Sequence, residues 1–105
     1  MKVRVNRFIR GGTYFVSFQS IDLTPDDAQR FEKFGAPAVR ISVGLQPKTV
    51  VPVAISSLNP SQTAGFNNED DAKQYEERVS NEVKALYDGI RAKQDQFSQT
   101  REVDL

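Results

Sequence analysis

Lys2, Arg4, Phe8, Arg10 and Phe15 are the side chains of this sequence with the clearest capacity to bind a partner. Aromatic rings interleaved with arginines are what single-stranded nucleic-acid binders use, because bases stack on the rings and guanidinium groups meet phosphates. These residues lie on either side of Gly11-Gly12, in the run MKVRVNRFIRGGTYFVSF. A bland reading stands beside that one: a cross-strand Phe pair stabilises a hairpin whatever else it does.

Other chemistry is thinly represented. The chain has 0 His and 0 Cys. That removes the commonest general base, the commonest metal ligand and every thiolate site. Structural zinc, Ser/His catalysis and Cys/His catalysis are excluded within one chain. Carboxylates, Lys, Tyr and Ser remain, so a carboxylate-based enzyme or small-molecule binder stays as a third reading, and no metal or cofactor is expected. Arg10-Gly11-Gly12-Thr13 lacks the spacing and the strand-to-helix setting of a phosphate loop. Glu69-Asp70-Asp71 lacks the ligand spacing and central glycine of a calcium loop, and helix capping accounts for its charge. Glu76, Glu77 and Glu82 read as a solvated helix face.

Charge divides unevenly along the chain. Residues 1–50 carry eight Lys/Arg against four acids, and residues 51–105 carry six against ten, so +4 is balanced by −4 and the net charge is +0. A nucleic-acid footprint usually brings net positive charge, so internal compensation between a basic sheet and an acidic helix is the preferred reading. A chain of 105 residues has the length of one domain, with enough surface to bury a modest core. No apolar run reaches the ~18 residues of a membrane span, and the N-terminus lacks the apolar stretch of a signal peptide. Without cysteine a cytoplasmic setting is the default expectation.

The elements that must position these groups follow from local patterning. Residues 2–10 and 13–21 are rich in Val, Ile, Phe and Tyr and flank a Gly-Gly turn, which predicts a β-hairpin. A two-residue turn makes opposed positions sum to 23. Ile9/Tyr14, Arg7/Val16, Val5/Phe18 and Val3/Ser20 then share the core face. Phe8/Phe15, Arg10, Arg4 and Lys2 share the other.

A short helix is predicted from about residue 25 to 34. Thr24 is its N-cap, Pro25 opens it, and Gly35 and Pro37 end it. Ala28, Phe31 and Phe34 share its core face. A third strand follows at 38–46 and a fourth at 49–58, with Val51, Val53 and Ile55 inward and Pro52 outward. That parity requires an odd loop pairing Leu45 with Val51, or a bulge. Residues 58–67 have loop composition, with Phe66 tucked back. A long amphipathic helix begins after Asn67 or Asn68 with the stripe Ala72, Tyr75, Val79, Val83, Leu86, Ile90 and Phe97.

The expected fold is therefore α+β, in ββαββα order. It has a four-stranded, mainly antiparallel sheet, with a strongly curled sheet as a close variant, a short helix and a long C-terminal helix. Residues 1–97 form the domain and 98–105 a frayed tail. Because the long helix outruns the strands, its end, through Leu86, Ile90 and Phe97, is a candidate for self-association as a homodimer. The leading functional expectation is a cofactor-free protein-interaction or self-association module, acting through the long helix or an exposed sheet edge, with Pro52 marking an edge-type strand. Nucleic-acid binding through Lys2, Arg4, Phe8, Arg10 and Phe15 is the alternative, and no membrane partner is expected.

Overall fold

The computed structural model describes all residues except 35–37, 45–47 and 98–99. Its elements are β1 (Val3–Arg10), β2 (Thr13–Ser20), α1 (Pro25–Phe34), β3 (Val39–Val43), β4 (Thr49–Val53), β5 (Gln62–Phe66) and α2 (Glu69–Phe97). A single 3-10 turn, Ser56–Leu58, separates β4 from β5.

The N-terminal hairpin follows from its turn. Gly11 and Gly12 both take positive φ, 58° and 79°, as a primed two-residue turn requires. The resulting register pairs Arg10 with Thr13, Phe8 with Phe15 and Val3 with Ser20, the parity read from the sequence. Val16, Phe18 and Ser20 are buried on the inner face of β2. Ser20 Oγ, the buried polar group there, accepts a hydrogen bond from the Leu23 N–H at 3.1 Å and so shapes the exit towards α1.

Helix α1 starts as its composition dictates. Thr24 Oγ1 accepts from the Asp27 N–H at 3.1 Å. Hydrogen bonding to Thr24, with Arg30 adding its charge, holds the Asp27 carboxyl below the usual range. Ala28 and Phe31 face the core. The expected stop at Gly35 and Pro37, and the packing of Phe34, lie outside the described residues. Helix α2 is capped by Asn68, whose Oδ1 accepts from the Asp71 N–H at 2.8 Å.

The sheet differs from the expectation in strand number and continuity. Among the described residues there are five strands rather than four, divided into a three-stranded sheet in the order β1-β2-β5 and a separate β3-β4 pair. The fifth strand falls inside the segment expected to be a loop. It pairs antiparallel with β2, matching Tyr14 with Phe66, Val16 with Ala64 and Phe18 with Gln62. Its cause is non-local. The buried second side of β2 has backbone groups that must be hydrogen-bonded, and 62–66 is the segment that reaches them. Strand β4 is shorter than expected and ends at Val53, so Ile55 is buried at the entry to the 3-10 turn rather than in a strand. In the β3-β4 register Ile41 faces Val51 and Val39 faces Val53, which keeps that apolar set on one side. Arg40 faces Pro52, which is exposed on a strand that among the described residues pairs on one side only. The Leu45 pairing and the loop around Pro47 lie outside the described residues.

Helix α2 packs across the inner side of both sheets. Tyr75 and Val79 are fully buried between Phe18 and Phe66 of the larger sheet and Ile41, Val43 and Val53 of the smaller one. Tyr75 meets Phe18 edge-on at 5.9 Å and Phe66 at 5.1 Å between ring centroids. At 29 residues the helix is about 44 Å long. Its buried stripe ends at Ile90, and the last turns stand clear of the core.

Candidate interaction surface

The hairpin register puts Lys2, Arg4, Phe8, Arg10 and Phe15 on one face, the side of the sheet away from α2. Phe8 and Phe15 are half-buried there, and the three basic residues are exposed. The two rings stack at 5.0 Å with 14° between their planes. The Arg10 guanidinium carbon lies 5.8 Å from the Phe8 centroid, a cation–π contact. Across the next strand Phe15 leans on Gly65, its neighbour in register. A Cβ at Gly65 would come within 2.8 Å of Phe15 Cε1. So Arg10, Phe8, Phe15 and Gly65 form a row that crosses the three strands. Glycine at position 65 is the gap into which Phe15 fits, the sheet device by which an aromatic ring covers a strand glycine.

The self-association candidates are not brought together. Ile90 is buried in the chain's own core and Leu86 is half-buried against it. Phe97 is 93% exposed at the end of α2. Tyr87 turns towards α1, where it contacts the Phe31 ring at 5.0 Å.

The surface that sequence reasoning missed is the free edge of β1. A two-residue turn makes Arg10 and Thr13 a hydrogen-bonded pair, so even-numbered residues of β1 direct their N–H and C=O groups to β2. The Ile21 N–H to Lys2 carbonyl bond of 2.9 Å continues that alternation. The odd residues Val3, Val5, Arg7 and Ile9 therefore aim their backbone groups at the open side. Among the described residues β1 pairs with β2 alone.

The same odd residues turn their side chains towards α2, yet Ile9 is 66% and Val5 40% exposed. Two clefts lie beneath them, between β1 and α2. One of about 250 Å³ is lined by Val3, Val5, Phe18, Val79 and Val83. The other, about 430 Å³, is lined by Ile9, Tyr14, Val16, Glu69, Ala72 and Lys73.

Arg7 bridges the space between these clefts. Its Nε donates to Glu76 Oε1 at 3.0 Å and its Nη2 bonds the other carboxylate oxygen, a bidentate ion pair across the groove. That hydrogen bonding, with the charge of Glu76, raises the Arg7 pKa further. Lys2 and β1 together bear four cations and no acid, whereas α2 carries eight acids against five cations. The layer of charge on β1 and the layer on α2 are thus opposite in sign.

Among the described residues no group of three or more His, Cys, Asp and Glu could hold a metal ion, and no helix is long and apolar enough to cross a membrane. Compared with protein-family models, curated proteins and solved structures, the chain finds no match in any of the three.

Proposed function

We propose that the chain is a protein-interaction module that takes up an extended segment at the free edge of β1. The observation that carries this reading is the coincidence on Val5, Arg7 and Ile9 of outward backbone donors and acceptors with exposed apolar side chains over a groove. Strand addition uses that combination: main-chain bonds give affinity, and pockets for alternate side chains give selectivity. Arg7 adds to selectivity. An inward-pointing charge on an edge strand discourages indiscriminate pairing, and Glu76 neutralises it in place.

The arrangement of Phe8 and Phe15 favours this reading over base stacking. The rings stack on each other, the Arg10 guanidinium lies over Phe8, and Phe15 rests against Gly65. A base approaching that face of Phe8 would have to displace the guanidinium.

The test is peptide display against the folded chain, with Ile9→Pro as the discriminating variant. The Ile9 N–H points away from β2, so proline there removes an outward donor and leaves the hairpin ladder intact. Selected peptides are expected to bind Ile9→Pro at least tenfold more weakly. Peptides that bind both forms equally would remove the edge from the function.

A further inference from the structure

We infer that the segment taken up at this edge is Arg101–Leu105 of a second copy of the chain, which rests on the strand-addition reading above. The argument begins with pattern. Residues 102–105, Glu-Val-Asp-Leu, alternate acidic and apolar, and all four are exposed. In a strand, alternate side chains fall on opposite faces. At the turn end of β1 the free edge places apolar Ile9 on the groove side and cationic Arg10 on the outer side.

One antiparallel register brings Val103 to Ile9 and Glu102 to Arg10. With Val103 opposite Ile9, the Val103 side chain covers the most exposed apolar residue of β1, over the larger cleft. Leu105 then lies beside the aliphatic part of Arg7. On the outer face Glu102 stands opposite Arg10, and Asp104 stands opposite Phe8, one diagonal step from Arg10. Arg101 falls beyond the strand, next to Gly11. Opposite-charge pairs directly across a ladder are stabilising.

Chain length assigns the segment to another copy. The cleft shared by Ile9 and Lys73 places Ile9 beside the first turns of α2. From Lys73 to Phe97 the helix climbs 24 residues, or about 36 Å. Val103 follows Phe97 by six residues, which reach at most about 20 Å when fully extended. A chain's own Val103 therefore cannot meet its own Ile9, whereas the end of α2 that carries the segment stands clear of its own core and is presented outwards.

The absence of cysteine in the sequence permits a direct test on the unmodified fold. Residues opposed in a hydrogen-bonded pair have Cα atoms about 5.5 Å apart, within disulfide range. Ile9→Cys and Val103→Cys are prepared separately, mixed and oxidised mildly. The expected product is a crosslinked dimer of one chain of each, with far less from Val103→Cys mixed with Val50→Cys, an exposed control on β4. In parallel, sedimentation of the unmodified chain should show a concentration-dependent dimer. Glu102→Arg should weaken it about fivefold, and Arg10→Glu in the same chain should restore it.

Equal crosslinking to positions 9 and 50 overturns the assignment to the tail. If self-association then persists in Glu102→Arg but is lost in Ile9→Pro, the edge reading stands and only the occupant is wrong. If sedimentation and peptide binding are both indifferent to Ile9→Pro, both readings fall.

Discussion

Replacing Tyr75 by Phe is expected to stabilise the protein. Tyr75 is fully buried, and its Oη has no hydrogen-bond partner among the described residues. A hydroxyl buried without a partner costs about 1–3 kcal/mol relative to water. Deleting the oxygen removes that cost. It leaves a void on the order of 10 Å³, which at about 24 cal/mol per Å³ costs only about 0.2 kcal/mol. The ring contacts with Phe18 and Phe66 are kept, so the net expectation is a gain of about 1–2 kcal/mol.

The same burial pushes the Tyr75 pKa up to about 12 from 10.0. The sign of the pH dependence follows. Below pH 10 the phenol is neutral in both states and contributes no slope. Between about pH 10 and 12 the unfolded phenol ionises while the folded one stays neutral, so stability falls as pH rises. The loss approaches about 1.4 kcal/mol per pH unit across that window.

Urea unfolding of both forms at pH 7 and at pH 11 measures these terms together. Tyr75→Phe should raise the midpoint at both pH values, and more at pH 11, with m unchanged. A variant less stable than the original by more than about 0.5 kcal/mol at pH 7, or a difference that does not grow with pH, would show that the hydroxyl is hydrogen-bonded, and the reasoning would fail.

Two further outcomes are expected. Gly65→Ala should destabilise by about 1–3 kcal/mol, chiefly through the Phe15 ring, and the penalty should shrink in the Phe15→Ala background, where only the Thr13 methyl remains close. A double-mutant cycle in thermal unfolding checks this, and additive effects would show that the ring does not occupy the glycine gap. Ile90→Ala should cost about 2–5 kcal/mol in dilute solution, where Phe97→Ala should stay within about 0.5 kcal/mol. Denaturant titration of the two would reverse that order if Ile90, rather than Phe97, were the exposed residue.

What the sequence made legible was local. The Gly11-Gly12 turn set the hairpin register, and register set which face Phe8 and Phe15 occupy. Thr24, Pro25 and Asn68 marked the starts of both helices because caps act over a few residues. The stripe from Ala72 to Ile90 showed which side of α2 is buried. Strand β5 was illegible for a physical reason. Gln62-Thr63-Ala64-Gly65-Phe66 has little intrinsic strand preference and follows Pro60 and Ser61, so its extended form depends on β2, some 48 residues earlier. Phe66 alone signalled that the segment returned to the core. The division into two sheets and the Arg7–Glu76 bridge are equally non-local. The edge of β1 was hidden for another reason. Val5 and Ile9 read as core from their alternation, and only three-dimensional packing shows that α2 leaves them uncovered.

The opposite charges of β1 and α2 have a consequence for how the molecule behaves in an electric field. A net charge of +0 hides a permanent dipole, because the cations of β1 and the acidic excess of α2 lie in different layers. At low ionic strength such a molecule turns its strand side towards an anionic surface and its helix side towards a cationic one, though its total charge favours neither. Two copies approaching each other are steered in the same way. The orientation fades once added salt shortens the screening length below about 10 Å.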